Sequence, residues 1–161
     1  MPEEARILLL ALGSNLGDRD SHLAKALELL STLPGLELWR ESRRRLTRPV
    51  GGPEGQGDYL NTVCSARSSL PPGELLRQTQ AIERGLGRRR EAEVRWGPRV
   101  IDIDILVYGE LILNGAELTL PHPRLRERRF VLEPLAEIVP ELPLPPDGVT
   151  ATTLLERLPP S

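Results

Sequence analysis

Val94-Arg95-Trp96-Gly97-Pro98-Arg99-Val100-Ile101-Asp102-Ile103-Asp104-Ile105 sets two carboxylates two residues apart inside a β-branched apolar run. Side chains on a strand alternate faces, so Asp102 and Asp104 share one face and Ile101, Ile103 and Ile105 the other. The isoleucines can enter a core. The carboxylates then lie roughly 7 Å apart at Cα, from a rise of about 3.3 Å per residue. Like charges at that spacing need something positive between them. Hard divalent cations such as Mg2+ take carboxylate oxygen and keep further positions for water and phosphate. An aromatic residue and two arginines lie just upstream, which is the composition of a site for a nucleoside triphosphate. The competing reading is a pair of salt bridges to those arginines.

Upstream of this strand, Arg84 to Arg99 holds six arginines against Glu91 and Glu93. That local excess suits a polyanionic ligand, or else forms a solvated arginine loop. The whole chain carries a formal charge of only −2, so nothing pulls it toward nucleic acid or a membrane surface. Its 161 residues fit a single domain, residues 1–161, able to bury a real core. The one cysteine, Cys64, excludes an intramolecular disulfide and a multi-cysteine zinc site. It sits in the strand-like run Asn61-Thr62-Val63-Cys64 and is expected in the core. No signal peptide and no membrane-length apolar run is visible, so a cytoplasmic location is expected.

The remaining elements follow from periodicity and punctuation. Arg6 to Leu12 reads as a fully buried strand, and Gly13-Ser14-Asn15-Leu16-Gly17-Asp18 as a turn. That turn suits either an anion at a helix N-terminus or plain capping. Leu23, Ala26, Leu27 and Leu30 recur at helical spacing, and Pro34-Gly35 stops that helix. Leu36 to Leu46 has the length of a second strand, and a Gly/Pro loop from Arg48 to Gly57 leads to a third, Tyr59 to Arg67. Pro71-Pro72-Gly73-Glu74 opens a second helix that Gly85 and Gly87 end. The order β-α-β-β-α-β typifies the ferredoxin-like α+β sandwich. Beyond it, Asn114-Gly115 signals a C-terminal hairpin, and Phe130–Ile138 and Thr150–Leu158 read as extra helices.

Several side chains carry chemistry. Arg88, Arg90 and Arg99 are phosphate candidates, because guanidinium offers planar, bidentate contacts and stays charged. Trp96 suits stacking on a base, on an arginine or against the sheet edge. Tyr59 and Asn61 share one strand face, and such a pair can stack on a flat heterocycle and read its amide edge. Gln80 and Glu83 lie one helical turn apart; as a bare pattern they form a solvated face. His122, between Pro121 and Pro123, is held at a defined place.

Together these residues resemble the 6-hydroxymethyl-7,8-dihydropterin pyrophosphokinase family of folate biosynthesis. The likeness runs from Gly13-Ser14-Asn15 to about Glu141. Its specific core is Arg95-Trp96-Gly97-Pro98-Arg99 with Asp102-Ile103-Asp104-Ile105, joined by Asp58-Tyr59-Leu60-Asn61, Gln80 with Glu83, Thr119-x-Pro121-His122, and Arg128 with Phe130. The resemblance implies transfer of the β,γ-diphosphate of ATP to the pterin hydroxymethyl group. It implies that Asp102 and Asp104 bind two Mg2+ ions and that Arg88 and Arg99 act on the transferring group. Gln80, Glu83, Arg90, Trp96, Ile105, Thr119, His122 and Arg128 would line the ATP site. Tyr59 and Phe130 would sandwich the pterin, with Thr47, Asn61 and the backbone near Val50 at its edge. The implied partners are pterin and ATP alone, with no nucleic acid and no membrane, and the protein is expected to be a monomer.

The chain departs from the family pattern in places. Glu117 stands where an ATP-contacting arginine can occur, and Pro123 where some members carry an aromatic. Glu93-Val94 adds a residue to the arginine loop. Two other readings keep part of these features. A nucleotidyltransferase would use the same carboxylate strand, but the Tyr59, Asn61 and Phe130 set suits a flat acceptor. An RNA-binding module of this fold needs stacking aromatics on central strands, whereas aromatics make up 3% of the chain.

Overall fold

Leu8, Leu9, Leu10 and Leu12 all lie in one strand, β1 (Arg6–Ser14), and all are fully buried. A strand apolar on both faces needs cover on both sides of its sheet. The computed structural model describes residues 5–49, 52–89, 93 and 97–160 and shows how that cover is supplied. The elements after β1 are α1 (Arg19–Ser31), β2 (Leu36–Glu41), β3 (Arg45–Thr47), β4 (Tyr59–Ser68) and α2 (Pro72–Gly85). Then come β5 (Asp102–Tyr108), β6 (Leu113–Asn114), β7 (Thr119–Leu120), α3 (Arg129–Ile138) and α4 (Ala151–Arg157). The antiparallel sheet runs β2-β4-β1-β5, with β3 also paired to β4. Leu8, Leu10 and Leu12 pack with Leu23 and Leu30 of α1 and Leu75 and Ile82 of α2. Leu9 packs on the other face with Leu132 and Leu135 of α3 and Leu154 of α4. This is the α+β, ferredoxin-like βαββαβ sandwich, with a hairpin and two added helices.

Two local expectations need correction. The strand expected over Leu36–Leu46 is two strands. Glu41 pairs with Cys64 and Arg45 with Asn61, so three residues, Ser42 to Arg44, oppose only Thr62 and Val63. The extra residue is a bulge. Ser42 turns inward there, and its hydroxyl accepts from the Val63 N–H at 3.1 Å. The hairpin forms where Asn114-Gly115 predicts one, but Asn114 itself pairs with Thr119. The turn therefore spans residues 115–118, closed by the Gly115 N–H donating to Leu118 O at 2.9 Å.

A second bulge shapes β5. Leu9 pairs with Val107 and Leu10 with Ile105, which leaves Leu106 as the extra residue. Ile101, Ile103, Ile105 and Tyr108 consequently all face α1 and α2, whereas Leu106 and Val107 both face α3. The Tyr108 hydroxyl donates to the Leu70 carbonyl and fixes the end of the strand.

Candidate active site

Asp102 and Asp104 project from β5 on the face away from α1 and α2, as the alternation of the strand requires. They open on a cavity of about 350 Å³. β1 contributes Gly13, β3 contributes Thr47, and β4 contributes Tyr59 and Asn61. Arg99 approaches from the segment before β5, and His122, Arg128 and Phe130 from the segment that enters α3. The structure thus brings nine of the sequence-predicted residues to one cavity. Cys64, by contrast, is buried in the core, and burial pushes its thiol up to about 12, so it is inert.

Arg88 does not line the cavity; it lies behind Asp102. Its place is set by the end of α2. Gly87 adopts φ +108° and the Arg88 N–H donates back to Glu83 O at 3.0 Å, a helix-terminating turn that returns the chain under β5. The buried Arg88 Nη1 donates to Glu83 Oε2 at 2.7 Å and to Asp102 Oδ1 at 2.8 Å. Its Nε and Nη2 donate to the two oxygens of Glu93 at 2.9 and 3.1 Å. Burial alone lowers an arginine's affinity for its proton. The Glu93 hydrogen bond and the charges of Asp102 and Glu83 outweigh that, and the net shift is upward.

Glu83 is therefore no part of a solvated face. It is 1% exposed, and its Oε2 also accepts from the Ile103 N–H on β5 at 2.8 Å. A buried carboxylate needs such partners, and periodicity within one helix cannot reveal them. Ile105 sends its side chain into the helix-covered core. Strand parity aligns its backbone with that of Ile103, along the edge of β5 that pairs with no other strand among the described residues. Gln80 is half-buried on α2 and Thr119 lies in the hairpin; neither reaches the cavity. Val50, Arg90 and Trp96 lie outside the described residues.

Of the two readings of the pair, the structure bears on the salt bridge: Asp102 takes one from Arg88, and Asp104 hydrogen-bonds to Asp102. Asp104 is held well above the usual carboxylate range, first by desolvation and then by the neighbouring Asp102 charge. Among the described residues no cluster of three or more His, Cys, Asp or Glu side chains forms a ready-made metal cage. Two carboxylates facing an open cavity fit Mg2+, which keeps waters and takes substrate phosphate as its other ligands.

The sign of the resulting pH effect is fixed. A carboxyl with a raised folded pKa contributes stability at pH below its unfolded value, about 3.9, and loses it as pH rises through the folded value. In chelator, Asp104→Asn should remove that loss and raise the neutral-pH Tm by a few degrees. Thermal melts from mildly acidic to neutral pH check this; a variant less stable than the parent throughout would refute it.

Beside the acidic pair, Gly13 pairs with Asp102 on β5 and with Asn61 on β4. Asn61 Nδ2 donates to Thr47 Oγ1, which orients the amide. A Cβ on Gly13 would lie 2.6 Å from Asn61 Oδ1 and 3.3 Å from the Tyr59 ring, so only glycine leaves both side chains in place. Burial, and then the Asp102 charge, raise the Tyr59 phenol pKa, and its hydroxyl donates to Gly97 O at 3.4 Å. The Arg128 guanidinium lies 5.5 Å from the Phe130 ring centroid. His122 Nδ1 accepts from the Arg124 N–H at 3.1 Å, which leaves the ring proton on Nε2. Burial and the nearby Arg128 charge lower the His122 pKa, so the ring is a neutral donor.

Sequence reasoning missed Arg124, which lines the cavity, and the use made of Asn15. Asp18, rather than Asn15, caps α1 by accepting from the Ser21 N–H. Asn15 instead ties two segments together. Its Oδ1 accepts from the Arg99 N–H at 2.7 Å, and its Nδ2 donates to Gly57 O and Gln56 Oε1, both at 3.2 Å. The partners are over 40 residues away, beyond the reach of local patterning. Asn15→Ala leaves these groups unpaired, at about 1–3 kcal/mol for a buried one. Urea denaturation should show a loss of that size, and the KM for nucleotide should rise because the Arg99 backbone keeps only one of its two bonds to Asn15.

The chain is similar to known proteins over most of its length. The family model for 7,8-dihydro-6-hydroxymethylpterin-pyrophosphokinase (HPPK) matches residues 9–140. The 2-amino-4-hydroxy-6-hydroxymethyldihydropteridine pyrophosphokinase of Bacillus subtilis is 47% identical over 132 residues, covering 82% of this chain and 77% of that protein. The protein of the same description from Methylorubrum extorquens is 44% identical over 152 residues, covering 94% and 93%. Among solved structures, wild-type Plasmodium falciparum HPPK-DHPS with pteroate superposes with a TM-score of 0.72 at 14% identity. That match covers 98% of this chain but only 43% of the solved one, and at such identity it speaks for the fold alone. On the family match and these relatives, the chain belongs to the 7,8-dihydro-6-hydroxymethylpterin-pyrophosphokinase family.

Proposed function

We propose that this protein transfers the β,γ-diphosphate of ATP to the hydroxymethyl group of 6-hydroxymethyl-7,8-dihydropterin, giving AMP and the pterin diphosphate in folate biosynthesis. One observation carries the reading: the acidic pair lines a single cavity together with Tyr59, Asn61 and Phe130, side chains suited to a flat heterocycle. Transfer to phosphorus requires in-line placement of a hydroxyl and neutralisation of charge above all. Tyr59 and Phe130 hold the pterin between them, and Asn61 and Thr47 read its edge. Arg99, with Arg88 behind the acidic pair, offsets negative charge that develops as AMP departs. His122 donates Nε2–H to the nucleotide, beside Arg128. Gln80, Thr119 and the Ile105 backbone border the nucleotide, while Glu83 acts by positioning Arg88. Asp102 and Asp104 hold Mg2+, two ions in all, which supplies charge neutralisation to the phosphates and acidity to the hydroxyl. Arg90, Trp96 and the backbone near Val50 complete the substrate contacts. The protein works as a cytoplasmic monomer with one pyrophosphokinase domain, on small molecules alone.

The test is a mass-spectrometric assay with 6-hydroxymethyl-7,8-dihydropterin, ATP and Mg2+. AMP and a diphosphorylated pterin are expected in equal amounts. Released pyrophosphate with a nucleotidylated acceptor would move the protein to the nucleotidyltransferases, and no turnover despite ligand binding would make it a binding module.

A further inference from the structure

Three acids meet Arg88, and they are not equivalent. Glu83 is fixed by α2 and Asp102 by β5, and both take Nη1. Glu93 belongs to neither element; it comes from the connection between α2 and β5. Its carboxylate lies flat against the Nε and Nη2 edge of Arg88, with both oxygens bonded. Its Oε1 also meets Arg99 Nε at 3.1 Å. A bidentate edge of one guanidinium and the Nε of another make the arrangement that a phosphate group uses. A carboxylate there offers the same planar pair of oxygens and the same sign of charge.

We propose that Glu93 sets the affinity for nucleotide by standing in for phosphate: it occupies the Arg88 and Arg99 edges in the unliganded protein and yields them to phosphate oxygens on binding. The proposal rests on the proposed function's assignment of both arginines to the phosphates; Arg88 lies behind Asp102, and the edge it offers is the one Glu93 covers. Without Glu93, Arg88 would remain neutralised by two fixed acids, and Arg99 would remain held by its Nη1 bonds to Gly97 O and Pro98 O. The arginines would therefore stay in place while their competitor was gone. A residue that only braced the arginines would act in the opposite direction, since losing it would weaken binding.

Titration calorimetry with inorganic tripolyphosphate and Mg2+, on the intact protein, separates the two. Glu93→Gln removes the charge but keeps one acceptor, and should bind tripolyphosphate about tenfold more tightly, because one charge-assisted contact no longer competes. KM for ATP should fall with it, and the ligand-free Tm should drop. In the parent protein, NMR of labelled arginine Nε groups should show the Arg88 and Arg99 signals moving on addition of tripolyphosphate, a readout that needs no variant. Unchanged or weaker binding by Glu93→Gln, or Nε signals that stay still at saturation, overturns the proposal. Arg88→Ala and Arg99→Ala serve as the reference. If both bind tripolyphosphate as the parent does, the phosphate reading itself fails. If both lose binding and Glu93→Gln does not gain it, only the role of Glu93 fails.

Discussion

Asp102→Ala and Asp104→Ala should each lower kcat by about 10³-fold or more with the fold retained. A bound cation contributes several kcal/mol of charge stabilisation, and about 1.36 kcal/mol is a factor of ten in rate. The fold survives because neither side chain supports the core. Arg88 keeps Glu83 and Glu93 when Asp102 is removed. Loss of Asp104 removes a carboxyl that burial and its neighbour already disfavour as an anion. Steady-state rates at saturating Mg2+, beside circular dichroism, check both halves. Near-parent turnover by either variant would remove the acidic pair from the mechanism.

Arg88→Ala should have the largest effect on stability, and an effect on activity of the same order as the aspartate variants. It leaves the Glu83 carboxylate, 2% exposed, without its cation. Removing one partner of a buried pair costs about 3–5 kcal/mol, a large share of the roughly 5–15 kcal/mol that holds a typical domain folded. Urea denaturation should show that loss. The double variant Arg88→Met with Glu83→Gln should regain most of the stability, because no buried charge is stranded. It should not regain turnover. Recovery of activity in the double variant would show that Arg88 acts on the fold alone.

The strand and helix order was legible because apolar periodicity, proline and glycine agree along the first two thirds of the chain. The facing of Asp102 and Asp104 followed from alternation alone. Three features were not legible, for a shared reason. The split of the second strand depends on Ser42 meeting Val63. The burial of Glu83 depends on Arg88 and on the Ile103 N–H. The clasp made by Asn15 depends on residues 56, 57 and 99. Each is a polar group whose partner lies on another element, and a pattern read within one element carries no trace of it. Glu93 illustrates the same point: in sequence it reduces the positive charge of a loop, and in space it meets two arginines.

The bulge at Leu106 shifts the phase of β5 halfway along. Before it, odd-numbered positions belong to the helical layer; after it, the even-numbered Tyr108 does. One strand can thus present acids to the cavity at its start and still anchor a tyrosine in the opposite layer at its end. Deleting Leu106 would remove the extra residue and restore plain alternation, leaving Val107 toward α3 and Tyr108 toward the helical layer, at the cost of one buried side chain. The two halves are thus separate mutational territories: the first carries the acids, the second carries packing on both faces.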